Sequence, residues 1–120
     1  MEKIILIKSC YKNKDRREII EKSWLNKVNI PYFFVYGKTD FLLHKYYEID
    51  EDKKELIVFC NDDYEGLKYK MINSIKAIKD AYNPKELYMI DDDVLIRINK
   101  FNEFIKKDKG YIEGYLIDTQ

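Results

Sequence analysis

Four short apolar runs recur along the chain: Ile4-Ile5-Leu6-Ile7, Tyr32-Phe33-Phe34-Val35-Tyr36, Leu56-Ile57-Val58-Phe59 and Leu87-Tyr88-Met89-Ile90. A strand with one wet face alternates polar and apolar side chains, whereas an unbroken run demands cover on both faces. Helical stretches lie between the runs and supply that cover. Asn13 or Asp15 is placed to cap a first helix running to about Leu25, with Ile20 and Trp24 one turn apart on its inner face. Pro31 stops helix, and the second run ends at Gly37. Lys38 to Glu55 is a polar connection with a short helix expected around Phe41–Tyr47. Asp62-x-x-Glu65 has the capping-box pattern and opens the clearest helix, in which Leu67, Met71, Ile75, Ile78 and Tyr82 repeat until Asn83-Pro84. Asn99 is placed to cap a last helix with Phe101, Phe104 and Ile105 inward, and Gly110–Ile117 reads as a final strand interrupted by glycine. The order βα-β-βα-β-α-β predicts an α/β fold, a mainly parallel sheet with helices on both faces in three layers.

Length and charge narrow the partners. A chain of 120 residues is one domain, and an apolar share of 46% is enough for a core. Lys plus Arg balance Asp plus Glu at 22 each, which leaves no electrostatic footprint for nucleic acid. Met1-Glu2-Lys3 leads directly into a run too short for a signal peptide, and no stretch reaches the length of a membrane span. The two cysteines, Cys10 and Cys60, fit free buried thiols in a reducing compartment, so a cytoplasmic protein is expected.

In parallel sheets of this kind ligands sit beyond the carboxyl ends of the strands. Ser9-Cys10, Gly37, Cys60-Asn61-Asp62 and Asp91-Asp92-Asp93 all fall at that edge. Three carboxylates at the mouth of a buried strand repel one another and resist desolvation, and a divalent cation relieves both. An extended backbone sends Asp91 and Asp93 to one side and Asp92 to the other. Two carboxylates on one side can grip a hard cation, Mn²⁺ or Mg²⁺, which in turn can bridge a nucleotide diphosphate and neutralise its charge as a sugar leaves. The plain alternative is a solvated turn.

The stretch Tyr88-Met89-Ile90-Asp91-Asp92-Asp93-Val94-Leu95-Ile96 resembles the Asp-x-Asp segment of glycosyltransferase family 31, the β-1,3-galactosyltransferase and Fringe relatives. Arg17-Glu18-Ile19-Ile20-Glu21-Lys22-Ser23-Trp24 resembles that family's first-helix pattern, Arg-x-Ala-Ile-Arg-x-Thr-Trp. Phe33–Gly37 resembles its second strand, and Asp62–Lys70 its Asp-x-Tyr-x-Asn-Leu-Thr-x-Lys segment. Gly110–Ile117 resembles the strand after the metal site. The pieces span nearly the whole chain in the family's order. Departures are Glu21 for an Arg, Gly66 for the Asn and Lys68 for the Thr. The resemblance implies the nucleotide-sugar half of a GT-A, Rossmann-like transferase with a UDP-sugar donor, an acceptor sugar that stays unknown, and a metal on Asp91 and Asp93. Family members continue beyond the position of Gln120 with an acceptor half and a general base, so a truncated domain is expected, and no base is nameable here.

Further candidates for the nucleotide are Ser9 and Cys10 at the first strand end, Arg16 and Arg17 on the next turn, Asp62, Lys70, Asp91 and Asp92. Each has a plain counterpart: a solvated first turn for the arginines, a helix cap for Asp62, an exposed helix lysine for Lys70. Trp24 reads as core, and His44 lacks partners at zinc-ligand spacing. In the strand order usual for such transferases, Cys10 and Cys60 lie two strands apart. That separation is about 10 Å, too far for a disulfide. Three other readings compete with the transferase: a binding module without turnover, either a degenerate transferase or a subunit completed by another chain; a receiver-type signalling domain; and a nuclease. The receiver is disfavoured because the first run ends in Ser9-Cys10 rather than acids, and the nuclease because basic stripes are missing. A half-fold would leave apolar surface and a strand edge open, so a homodimer or a partner chain is expected to cover that face.

Overall fold

The computed structural model describes residues 2–41, 45–63 and 65–92, together with the backbone of 112–113. The strands form where the apolar runs predict: β1 (Lys3–Lys8), β2 (Tyr32–Lys38), β4 (Glu55–Phe59) and β5 (Glu86–Asp91). Two more join them, β3 (Tyr47–Asp50) and the two-residue β6 (Ile112–Glu113). The sheet order is β3-β4-β2-β1-β5-β6. All pairs are parallel except β3 with β4. β1 lies in the middle, with Ile5 opposite Tyr32 on one side and Tyr88 on the other.

Alternate side chains of each buried strand enter opposite faces, and each face has its own core. Helix α1 (Lys14–Ser23) and the 3-10 turn Leu25–Lys27 after it place Ile20, Trp24 and Leu25 against Ile5, Ile7, Phe34, Tyr36, Tyr88 and Ile90. Helix α2 (Leu67–Ala81) places Ala77 and Ile78 against Ile4, Leu6, Phe33, Val35, Leu56 and Met89. The three-layer α/β/α architecture with a mainly parallel sheet is therefore as expected. The sheet order also puts β2 between the strands that end near Cys10 and Cys60, and both thiols are free and buried.

Four local expectations are corrected. The helix expected around Phe41–Tyr47 is absent where the chain is described: Lys45 and Tyr46 carry no helix, and Tyr47 begins β3. Tyr47-Glu48-Ile49-Asp50 is a half-buried alternating strand at the sheet edge, closed onto β4 by a turn in which Lys54 takes the left-handed conformation (φ 57°). Helix α2 begins at Leu67, with Gly66 in the N-cap position, not at Asp62. Its inward face carries most of the expected stripe, with Ile78 buried and Met71, Ile75 and Tyr82 packed against the core, but Leu67 is 37% exposed and Lys70, Ser74 and Ala77 are buried beside them. The fourth correction is Asn13, which occupies the N-cap position of α1 but makes no side-chain cap hydrogen bond. The C-terminus of α2 is as the sequence implies: Asn83 turns left-handed (φ 46°), and the Tyr82 and Asn83 N–H groups both donate to the Ile78 carbonyl. The last predicted helix and most of the final predicted strand lie outside the described residues; Ile112–Glu113 of that strand pair parallel with β5.

Candidate functional site

At the carboxyl edge of the sheet a cavity of about 410 Å³ opens between three segments. The end of β1 and the turn into α1 supply Lys8, Ser9, Cys10, Lys12, Asn13 and Arg16. The loop from β4 into α2 supplies Asp62 and Asp63, with Leu67 and Lys70 on the helix itself. The end of β5 supplies Asp91 and Asp92. The parallel register explains the meeting: Lys8 is paired with both Val35 and Asp91, so residues that end their strands come out together. Of the residues singled out in the sequence, Ser9, Cys10, Arg16, Asp62, Lys70, Asp91 and Asp92 line this one cavity, Arg17 does not, and Asp93 lies outside the described residues.

Two neighbouring carboxylates have opposite surroundings. Asp92 is 8% exposed. Its Oδ2 accepts from Ser9 Oγ at 2.8 Å and Asn13 Nδ2 at 3.0 Å, and its Oδ1 from Arg16 at 3.4 Å. Asp91, with its side chain 52% exposed, pairs with Lys8 Nζ at 3.2 Å. This explains why Asn13 does not cap α1: its amide is turned to the acid across the pocket. Hydrogen-bond donors, one of them the Arg16 guanidinium, compensate the burial of this carboxylate, so burial alone does not call for a metal ion at Asp92.

Asp62 is not a helix cap either. Oδ1 accepts from the Gly37 N–H at 2.7 Å and from Lys70 Nζ at 2.7 Å, and Oδ2 accepts from the Tyr11 N–H at 2.8 Å. The local cap of the loop is Asp63, whose carboxylate accepts the Gly66 N–H at 3.0 Å. Lys70, a candidate for the nucleotide whose plain counterpart is an exposed helix lysine, is 2% exposed, and its ammonium also donates to the Ser9 carbonyl. One ion pair thus joins the ends of β1 and β2 to the loop before α2. Gly66 is required here, since a Cβ would lie 1.9 Å from the Asn61 carbonyl oxygen. Gly37 admits the same loop, since its Cβ would meet Cys60 Sγ at 2.7 Å.

The two arginines separate. Arg17 donates to the Cys10 and Tyr11 carbonyls and lies over the Tyr36 ring at 4.6 Å, while Tyr11 stacks on the same Tyr36 ring at 4.5 Å. Arg17 therefore holds the β1–α1 turn, and Arg16 faces the cavity. Burial pushes the Cys60 thiol up to about 11, against the pull of Lys70 and with a further push from Asp62 and Asp63, so it is a poor nucleophile at neutral pH. Sequence reasoning passed over Lys8, Lys12, Asn13 and Asp63 as site residues. Their one legible signal was position, within a few residues of a strand end.

What the arrangement can do follows from its charges. Lys8, Lys12, Arg16 and Lys70 offset four aspartates, and most of these charges already face one another. Such a cavity suits a polar ligand carrying both anionic groups and hydrogen-bonding edges, not a simple anion. Among the described residues no three Asp, Glu, His or Cys side chains converge as a metal site.

A family model described as Galactosyltransferase matches residues 15–120. Beta-1,3-galactosyltransferase bre-5 of Caenorhabditis elegans is 26% identical over 131 aligned positions, which cover 97% of this chain and 40% of that protein. The chain thus spans about two fifths of the length of this curated relative. No solved structure matches it significantly. No helix among the described residues is long and apolar enough to cross a membrane.

Proposed function

The chain belongs to the galactosyltransferase family, and from that premise we propose that its cavity is the donor half of a metal-dependent glycosyltransferase site taking a UDP-sugar. The observation that carries the reading is the juxtaposition of a buried Asp92 that accepts three hydrogen bonds with a half-exposed Asp91 at the mouth of β5, opposite the end of β1.

The donor set fits a hard divalent cation in part. Asp91 is an oxygen ligand held at one side by Lys8 and open on the other, which suits Mn²⁺ or Mg²⁺. Asp91 and Asp93 are the residues we propose hold the ion. When bound, the ion supplies Lewis-acid neutralisation of charge on the departing nucleotide diphosphate. The chain's own residues do the rest. Arg16 and Lys12 line the cavity as cationic partners for phosphoryl oxygens. Lys70 contributes its charge from behind, through the fixed pair with Asp62, rather than as a mobile ligand. Asp62, Ser9 and the backbone around Cys10 form the polar wall against which a nucleoside is proposed to lie.

Calorimetric titration with UDP, with and without Mn²⁺, tests the reading. Binding that requires the metal and is lost in Asp91→Ala and Asp93→Ala is expected. Metal-independent binding, or none, would remove the assignment. Metal-dependent binding without transfer to any sugar would assign the chain a binding role and leave turnover to a longer protein or a partner chain.

A further inference from the structure

The three aspartates invite a common role, yet the structure separates the second from the first. Asp92 accepts three hydrogen bonds, from Ser9, Asn13 and Arg16, and is nearly closed to solvent. A carboxylate offers about four lone-pair directions, so three donors leave little with which to ligate an ion. Two of the donors lie away from their ordinary use. Asn13 stands at the N-cap of α1 yet donates across the cavity instead of capping. Arg16 stands in the first turn of α1, where a cation opposes the helix dipole. Among the described residues, Asp92 is the polar partner recorded for its guanidinium, which is otherwise 54% exposed and lines the cavity. Arginine carries five N–H donors in a fixed fork, so a guanidinium held at one corner presents the others in one plane.

We propose that Asp92 is a positioning residue and not a metal ligand: it clamps the β1–α1 turn to the end of β5 and fixes Arg16 so that its remaining donors meet a phosphoryl group of the ligand. The ligand side of this statement rests on the UDP-sugar reading above; the clamp does not. The triplet then divides its work. Asp92 sets the cavity wall, and Asp91 is left for the ion.

The test uses the whole chain, with Asp92→Asn, Asp91→Asn, Arg16→Ala and the double variant Asp92→Asn/Arg16→Ala, and three measurements. Mn²⁺ alone, followed by water-proton relaxation, is expected to bind Asp92→Asn within about twofold of the parent and to be lost in Asp91→Asn. UDP affinity in excess Mn²⁺ is expected to fall about five- to tenfold in Asp92→Asn and in Arg16→Ala, with little further loss in the double variant, because the first change acts through the second residue. A merely structural weakening would multiply the two losses instead. Amide exchange in the free protein is expected to quicken at Asn13, whose N–H donates to the Cys10 carbonyl, in Asp92→Asn and not in Asp91→Asn. Loss of Mn²⁺ in Asp92→Asn, independent losses in the double variant, or unchanged exchange at Asn13 would each overturn the proposal. If the parent binds neither Mn²⁺ nor UDP, the donor-site reading falls and the ligand role of Arg16 with it. The exchange measurement then still decides the clamp.

Discussion

Replacing Asp62 by alanine is expected to damage this fold more than its position on a loop suggests. The carboxylate holds the Lys70 ammonium at 2.7 Å, the Gly37 N–H at 2.7 Å and the Tyr11 N–H at 2.8 Å. The Lys70 side chain is 3% exposed, so Asp62→Ala leaves a buried charge with the Ser9 carbonyl as its remaining recorded partner. Removing one member of a buried pair costs about 3–5 kcal/mol. The Asp62 side chain is itself 21% exposed and water can enter behind it, so the lower end, about 3 kcal/mol, applies. The orphaned Gly37 N–H adds about 1 kcal/mol, for a total near 4 kcal/mol. Lys70→Met removes the charge instead of stranding it and leaves Asp62 on two backbone donors, at about 1–2 kcal/mol. The double variant should lose only about 2–3 kcal/mol, well short of the sum, because neither charge is then left alone. Urea unfolding followed by tryptophan fluorescence reads this directly. With a slope of about 1.5 kcal/mol/M, Asp62→Ala should lower the midpoint by about 2–3 M. A loss under about 1 kcal/mol, or losses that simply add in the double variant, would refute the claim that the pair fastens the strand ends.

Other expectations are narrower. Gly66→Ala must move either the start of α2 or the Asn61 peptide, since no space exists for a Cβ 1.9 Å from that carbonyl; a loss of about 2–3 kcal/mol in the same urea assay is expected, and a neutral change would show that the loop yields freely. Trp24→Ala empties the centre of the α1-side core and should cost about 3–5 kcal/mol, read by far-ultraviolet circular dichroism because it removes the single tryptophan, whereas Ile19→Lys on the exposed face of α1 should stay within about 0.5 kcal/mol. The Cys60 thiol, raised by burial from 9.0 to about 11, favours the folded state below pH 9; that contribution fades between pH 9 and 11 as the unfolded chain ionises first. Thiolate absorbance near 240 nm in a Cys10→Ser background should therefore appear near pH 11 in the native protein and near 9 in urea, and coincident titrations would contradict the burial argument.

How much of this was legible in advance depended on whether a residue's partner was local. β1, β2, β4 and β5 were readable because each is an unbroken apolar run, and burial on two faces leaves no other use for one. The end of α2 was readable because Asn83-Pro84 acts on its own backbone. Its start was not. Asp62-x-x-Glu65 matches a capping box, yet Asp62 is taken by Tyr11 and Gly37, 51 and 25 residues distant, and by Lys70 inside the helix. Asn13 was misread for the same reason, since Asp92 lies 79 residues away. β3 escaped because four half-buried residues within a polar stretch carry too short an alternation to stand out. At the site, the cavity's location and part of its lining, Ser9, Cys10, Asp62, Asp91 and Asp92, followed from strand ends, while Arg16 was legible from the turn after β1 and Lys70 from the family resemblance. The unequal exposure of Asp91 and Asp92 did not, because it is set by which donors the β1–α1 turn brings across.

The central place of β1 has a consequence for biogenesis. Its neighbour on one side, β2, emerges from the ribosome soon after it, but its neighbour on the other, β5, is made some eighty residues later. Ser9 and Asn13 therefore exist as an unmatched rim until the last third of the chain arrives, and closing so long a loop is entropically slow. Vectorial synthesis should thus yield a transient four-strand intermediate, β3-β4-β2-β1, with one flank of β1 open to chaperones. The pocket would come into being in a single late event, when Asp92 reaches the turn that has been waiting for it.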